Sequence, residues 1–166
     1  MDWEKWYDLL YKAKKKAKFT SYVTSGYYGT TYSRGNEQEI KKHEQELVAE
    51  IAKKFKDAEI YKGWDFDNYY RLAVILANDT VYVYLLGYQR KLNTGNLIAP
   101  HEINLADKPM LVKVFNKDEV NLKFDESDGT YELVHRTGEI LAHLLVSCDV
   151  TVYKPTEILI AKILDP

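Results

Sequence analysis

Residues 69–91 constrain the fold of this chain more than any other stretch: YYRLAVILA, then Asn78-Asp79, then TVYVYLLGYQRK. Asn and Asp tolerate the left-handed backbone that a two-residue hairpin turn demands, and the flanking runs are rich in Val, Ile, Leu and Tyr, which suit strands. Both alternating sets of side chains in the second run are apolar. Val81, Val83 and Leu85 fall on one face, and Tyr82, Tyr84, Leu86 and Tyr88 on the other. A strand that is apolar on both faces is covered on both, so the hairpin belongs at the centre of a sheet.

Around this hairpin the chain reads as one α+β domain over residues 1–166, mostly antiparallel, with two to three flanking helices. Trp3, Trp6, Tyr7, Leu10 and Ala17 recur at helical spacing within Asp2 to Lys18. That helix has acids at its start and lysines at its end, an order that complements the helix dipole. Asn36 to Lys56 is a second amphipathic helix, with Asn36 as N-cap and Ile40, Leu47, Val48, Ile51, Ala52 and Phe55 as its stripe. Gly138 to Cys148 fits a third through Ile140, Leu141, Leu144, Leu145 and Cys148. Strands are expected at 59–62, 110–116, 120–125 and 131–136, with Glu126-Ser127-Asp128-Gly129 as a turn. Asp149 to Tyr153 reads as a further strand, and Glu157 to Leu164 as a strand or a helix. Leu92 to Pro109 reads as a loop.

No apolar run reaches the length of a membrane span, and the start Asp2-Trp3-Glu4 lacks the basic-then-apolar order of a signal peptide. The single cysteine, Cys148, excludes an internal disulfide framework. The expectation is a soluble cytoplasmic protein. No organic cofactor and no metal site is expected, because no Walker loop, GxGxxG, GxSxG or paired-Cys motif is present. His43-Glu44-Gln45-Glu46-Leu47 falls short of HExxH at its fifth position, and His43 reads as a surface residue. His135-Arg136-Thr137 is a single HxT, whereas two-histidine phosphoesterases need two such elements.

Two stretches carry the functional expectation. Phe19 to Asn36, FTSYVTSGYYGTTYSRGN, combines Tyr, Ser, Thr and Gly with almost no charge. Binding loops use this mixture: stiff aromatics for area and small polar residues for adaptable hydrogen bonds; the same residues equally fit a Gly-interrupted hairpin packed on the core, or a loop ordered by a partner. Tyr22, Tyr27, Tyr28, Tyr32 and Arg34 are its candidate contact residues. Lys14, Lys15 and Lys16, with Lys12 and Lys18, form a basic helix end suited to a phosphate backbone. The leading expectation is a non-catalytic inhibitor or adaptor with a protein partner, and the basic end adds a nucleic-acid alternative.

An enzymatic alternative rests on Gln89-Arg90-Lys91. The order helix, strand, hairpin resembles the core of PD-(D/E)xK nucleases, in which an acidic residue and an E/Q-x-K tripeptide hold a divalent metal. The resemblance implies Asp65 or Asp67, Gln89 and Lys91 as the metal-site residues, with Glu50 as a helix-borne third ligand. A two-residue turn at 78–79 sets Gln89 opposite Asn68 and Arg90 opposite Asp67, which puts Asp67 on the wrong face. A bulge near Gly87 would shift that register by one residue.

Overall fold

A computed structural model describes residues 3–25, 34–55, 57–65, 69–91, 101–127, 129–145 and 151–153. Helix α1 spans Trp3–Lys16, followed by strands β1 (Phe19–Ser25) and β2 (Arg34–Gly35). Helix α2 spans Glu37–Lys54. Then come β3 (Glu59–Asp65), β4 (Tyr70–Ala77), β5 (Thr80–Lys91), β6 (His101–Asn116), β7 (Val120–Asp125), β8 (Thr130–His135), β9 (Ile140–Leu145) and β10 (Thr151–Tyr153). The strands form one antiparallel sheet in the order β2-β1-β6-β5-β4-β3-β9-β8-β7, with β10 beside β3. The fold is therefore a mostly antiparallel sheet with two helices among the described residues.

The β4–β5 hairpin sits in the middle of that order, and the helices cover its two faces. Val83, Leu85, Leu72 and Val74 pack with Trp6, Leu10 and Ala13 of α1. Ala73, Ile75, Tyr84 and Leu86 pack with Ile40, Leu47, Val48, Ile51 and Ala52 of α2. Trp6 lies 6.0 Å from the Phe115 ring on β6, and its indole N–H donates to the Leu141 carbonyl on β9 at 3.1 Å. Since β5, β4 and β3 separate those two strands in the sheet, the sheet curves around α1. Each fully buried large apolar side chain here contributes about 1.5–3 kcal/mol.

The hairpin turn is where the sequence puts it: Ala77 faces Thr80, and Asn78 adopts φ 49°. The ladder then slips by one, because Leu72 faces Leu85 but Arg71 faces Gly87. Leu86 is the extra residue. Strand β6 skips it as well, since Leu85 faces Met110 and Gly87 faces Leu105. Glycine is required at 87, because any Cβ there would overlap the Asn104 carbonyl oxygen of β6. The bulge moves Tyr88 to the α1 side of the sheet, where it faces Tyr70 and packs edge-on against Phe19 at 5.0 Å.

Four sequence expectations are corrected. Residues 19–25 form a strand with six partners on β6, Phe19↔Ala106 through Thr24↔His101. The loop expected at 92–109 instead holds the first nine residues of β6 from His101; residues 92–100 lie outside the described residues. Pro109 is tolerated because β5 skips residues 106–109 and asks no amide hydrogen of it. Residues 140–145 are strand β9, not a helix. Leu141 is the extra residue of a bulge, as Leu133 faces Ala142 and Val134 faces Ile140. Leu141, Ala142 and Leu144 all join the α1 core, so the bulge imitates helical spacing. Finally, Asn36 makes no side-chain cap, and its Oδ1 accepts from the Val23 amide at 3.4 Å instead. Residues 157–164 lie outside the described residues.

Candidate binding surfaces

The tyrosine-rich segment meets the described structure only at its ends. Thr24↔Gly35 and Ser25↔Arg34 pair at the edge of the sheet, which holds the two ends of the segment together. Tyr27, Tyr28 and Tyr32 lie outside the described residues. Tyr22 is half-buried and engaged. Its hydroxyl lies 3.0 Å from His43 Nδ1, and the two rings meet edge-on at 5.9 Å. Burial, then Glu46 and Glu39, push its phenol above the usual range. His43 is correspondingly no surface residue: it is half-buried on α2, and its Nε2 lies 2.8 Å from the Ala106 carbonyl oxygen. In a neutral ring Nε2 then donates to that carbonyl and Nδ1 accepts the Tyr22 hydroxyl proton.

The basic end of α1 is arranged differently. Trp6, Leu10 and Ala13 face inward, which leaves Tyr7 and Tyr11 40% and 49% exposed. Lys15 Nζ lies 4.7 Å from the Tyr11 ring centroid, and Lys14 Nζ lies 4.0 Å from that of Tyr88. Lys12 pairs with Asp8 at 3.3 Å across one helical turn, both well exposed, so that pair contributes about 0.3–0.5 kcal/mol. Lys16 is exposed. Tyr70 borders the same patch, its phenol pushed up by burial, then by Tyr11 and Asp65. Lysines held over tyrosine rings at the open end of a helix thus meet aromatic surface contributed by β4 and β5.

The nuclease-like set does not come together as the resemblance implies. The bulge at Leu86 is present, and the Gln89 amide donates to the Tyr69 carbonyl at 2.8 Å. Yet Asp65 faces Tyr70 on the α1 side, while Gln89 faces Ile103 on the α2 side. Glu50 is exposed on α2. Lys91 is exposed opposite His101. Asp67 lies outside the described residues. Among the described residues no three His, Cys, Asp or Glu side chains are grouped to hold a metal.

What Gln89 does join is a buried polar cluster that sequence reasoning missed. Arg71 donates through Nη1 to Gln89 Oε1 at 2.7 Å and through Nη2 to Glu44 Oε1. Lys62 Nζ donates to Glu44 Oε2 at 2.7 Å. Glu44 and Arg71 are each 2% exposed and Gln89 is 4% exposed. Burial alone would raise the Glu44 carboxyl, but the charges of Arg71 and Lys62 and their hydrogen bonds outweigh it and hold the group below its usual value. Both carboxylate oxygens are occupied, so the cluster fastens α2 to β3, β4 and β5. The signal available in the sequence was the lone Arg71 in an otherwise apolar strand. An arginine there must find an acid when the strand is covered.

No family model, no curated protein and no solved structure matches this chain. No helix among the described residues is long and apolar enough to cross a membrane.

Proposed function

We propose that the protein is a non-catalytic binding module that contacts single-stranded nucleic acid through the outer end of α1. The observation that carries this reading is the pairing of Lys15 with Tyr11 and of Lys14 with Tyr88 on one open patch. Phosphates need mobile cations, and unpaired bases need exposed aromatic faces on which to stack. Lys12, Lys14, Lys15, Lys16 and Lys18 supply the first within seven residues, and Tyr11 and Tyr7 supply the second. Dipole compensation accounts for basic residues in a last helical turn but not for tyrosines left in water beside them. A non-catalytic role is favoured by the fate of three ionisable groups in the α2 contact: Glu44, Arg71 and the half-buried His43 are all engaged in holding α2 to the sheet.

The test is fluorescence anisotropy with labelled single-stranded DNA and RNA at two salt concentrations. Replacing Lys14, Lys15 and Lys16 by Gln should reduce the salt slope of log K by about 2, at roughly 0.7 per phosphate contact. Tyr11→Ala should weaken binding by about 1–3 kcal/mol. Oligonucleotides that bind the triple variant as tightly as the parent would overturn this assignment.

A second reading keeps residues 19–36 as the contact segment of an inhibitor or adaptor with a protein partner. It draws on Val23, 46% exposed on β1, and on the β1–β2 pairing that brings the segment's ends together at the sheet edge. Replacing Tyr27 and Tyr28 by Ala should abolish capture of a protein partner while leaving Tm unchanged. A large fall in Tm would assign those tyrosines to the core instead.

A further inference from the structure

The turn joining β6 to β7 and the turn following β8 meet, with the Arg136 amide donating to the Glu119 carbonyl at 2.8 Å. On the α1 side of this junction lies a cleft of about 680 Å³, bounded by α1, by Lys113 and Phe115 of β6, and by Glu119, His135 and Arg136. That volume is in the range that holds small ligands. Four cations border it, Lys5, Lys12, Lys113 and Arg136, against two carboxylates, Asp8 and Glu119.

Both carboxylates are already engaged. Asp8 pairs with Lys12, and Glu119 Oε1 accepts the Asn116 amide at 3.0 Å. Lys5, Lys113 and Arg136 have no carboxylate partner among the described residues. Lys113 Nζ leans over the Phe115 ring at 5.9 Å. His135 is fixed from below: its Nδ1 accepts the Thr137 amide at 3.3 Å and lies 2.9 Å from Thr137 Oγ1. A neutral ring so held carries its proton on Nε2, which makes that atom a donor.

We propose that this cleft is a binding site for a small phosphate-bearing molecule, with Arg136, Lys113 and Lys5 as its cationic ligands and His135 as a further donor. Four cations against two carboxylates leave the cleft a net charge of +2, which exceeds what a single carboxylate ligand needs and matches a phosphomonoester dianion. The planar arginine fork suits two phosphate oxygens at once. Lys12, paired with Asp8, borders both this cleft and the basic end of α1, whereas Lys14, Lys15 and Lys16 do not line the cleft.

The experiment is calorimetric titration of the full chain with inorganic phosphate and, separately, with adenosine monophosphate at low salt. Arg136→Gln and Lys113→Gln alter exposed side chains, so Tm should hold. Each should weaken binding of both probes by about tenfold or more. Lys123→Gln, an equal charge change on exposed β7 outside this cleft, should have less than about a twofold effect. Three outcomes would overturn the proposal: no heat with either probe up to about 10 mM, undiminished binding in both cleft variants, or an equal loss in Lys123→Gln, which would mean attraction to net charge rather than a site.

Discussion

The two faces of the sheet are covered by helices that are seated by different physics. On the α1 face the core among the described residues is mainly apolar, with Asp65 buried at its border, and the Trp6 indole donates to the Leu141 carbonyl on the far strands. On the α2 face an apolar core continues into a buried acid–base cluster, in which Glu44 of the helix meets Lys62 and Arg71, and Arg71 in turn donates to Gln89, across three successive strands. Apolar packing is strong but tolerant of small slides. A bidentate carboxylate between two cations accepts one position only. The α1 face can therefore present its outer side chains to a ligand without risk to the seat beneath, whereas α2 has given Glu44 and His43 to the fold.

The comparison breaks or sharpens first on its two anchors. Trp6→Ala removes a fully buried indole and should cost about 3–5 kcal/mol. Glu44→Ala leaves Arg71 and Lys62 uncompensated and should cost a similar amount, about 3–5 kcal/mol. Acid separates the two. The folded Glu44 carboxyl sits below its ordinary value of 4.5, so the stability it supplies is complete above that pH and is lost as pH falls below it. Urea unfolding at neutral and acidic pH should show this acid loss intact in Trp6→Ala and reduced in Glu44→Ala. Equal acid sensitivity in both variants would show that Glu44 does not distinguish the faces.

A smaller effect is expected where the faces exchange residues. Gly87→Ala drives a methyl into the β6 backbone at the bulge and should destabilise by at least about 1–3 kcal/mol, with line broadening at Tyr88 and Gln89 in NMR spectra. A variant as stable as the parent would mean that β6 can move away. The smallest concerns the edge of the α2 face. Tyr22→Phe loses the hydroxyl contact to His43 and should cost about 0.5–1.5 kcal/mol. A change of no more than a few tenths would return Tyr22 to the list of contact residues.

Much of the architecture was legible in local pattern. The Asn78-Asp79 turn, the central place of the hairpin, both helices and the alternation of β7 and β8 follow from the residues alone. The bulge near Gly87 was legible only as a geometric possibility, a one-residue shift that would alter which face Asp67 shares, with an Asp67–Arg90 cross-strand ion pair as the alternative. The misreadings share a cause. Residues 140–145 space their apolar side chains like a helix because a bulge turns Leu141 and Ala142 to the same core. Residues 101–109 look like loop because Pro109 sits where β5 asks nothing of its strand. Of the candidate site residues, Lys14 and Lys15 were visible as charge, but their seating over Tyr88 and Tyr11 was not.

The sequence by itself determined which segments are amphipathic and where the central turn falls, since side-chain periodicity and left-handed tolerance are properties of neighbouring residues. Only the tertiary structure decided which polar residues are buried together. Glu44 reads as part of a solvated helix face, and Arg71 and Gln89 lie 18 residues apart on different strands. Their union depends on the slip at Leu86, on the face α2 chooses and on the exclusion of water between them. A carboxylate becomes an anchor rather than a surface charge only when distant segments enclose it and supply its cations.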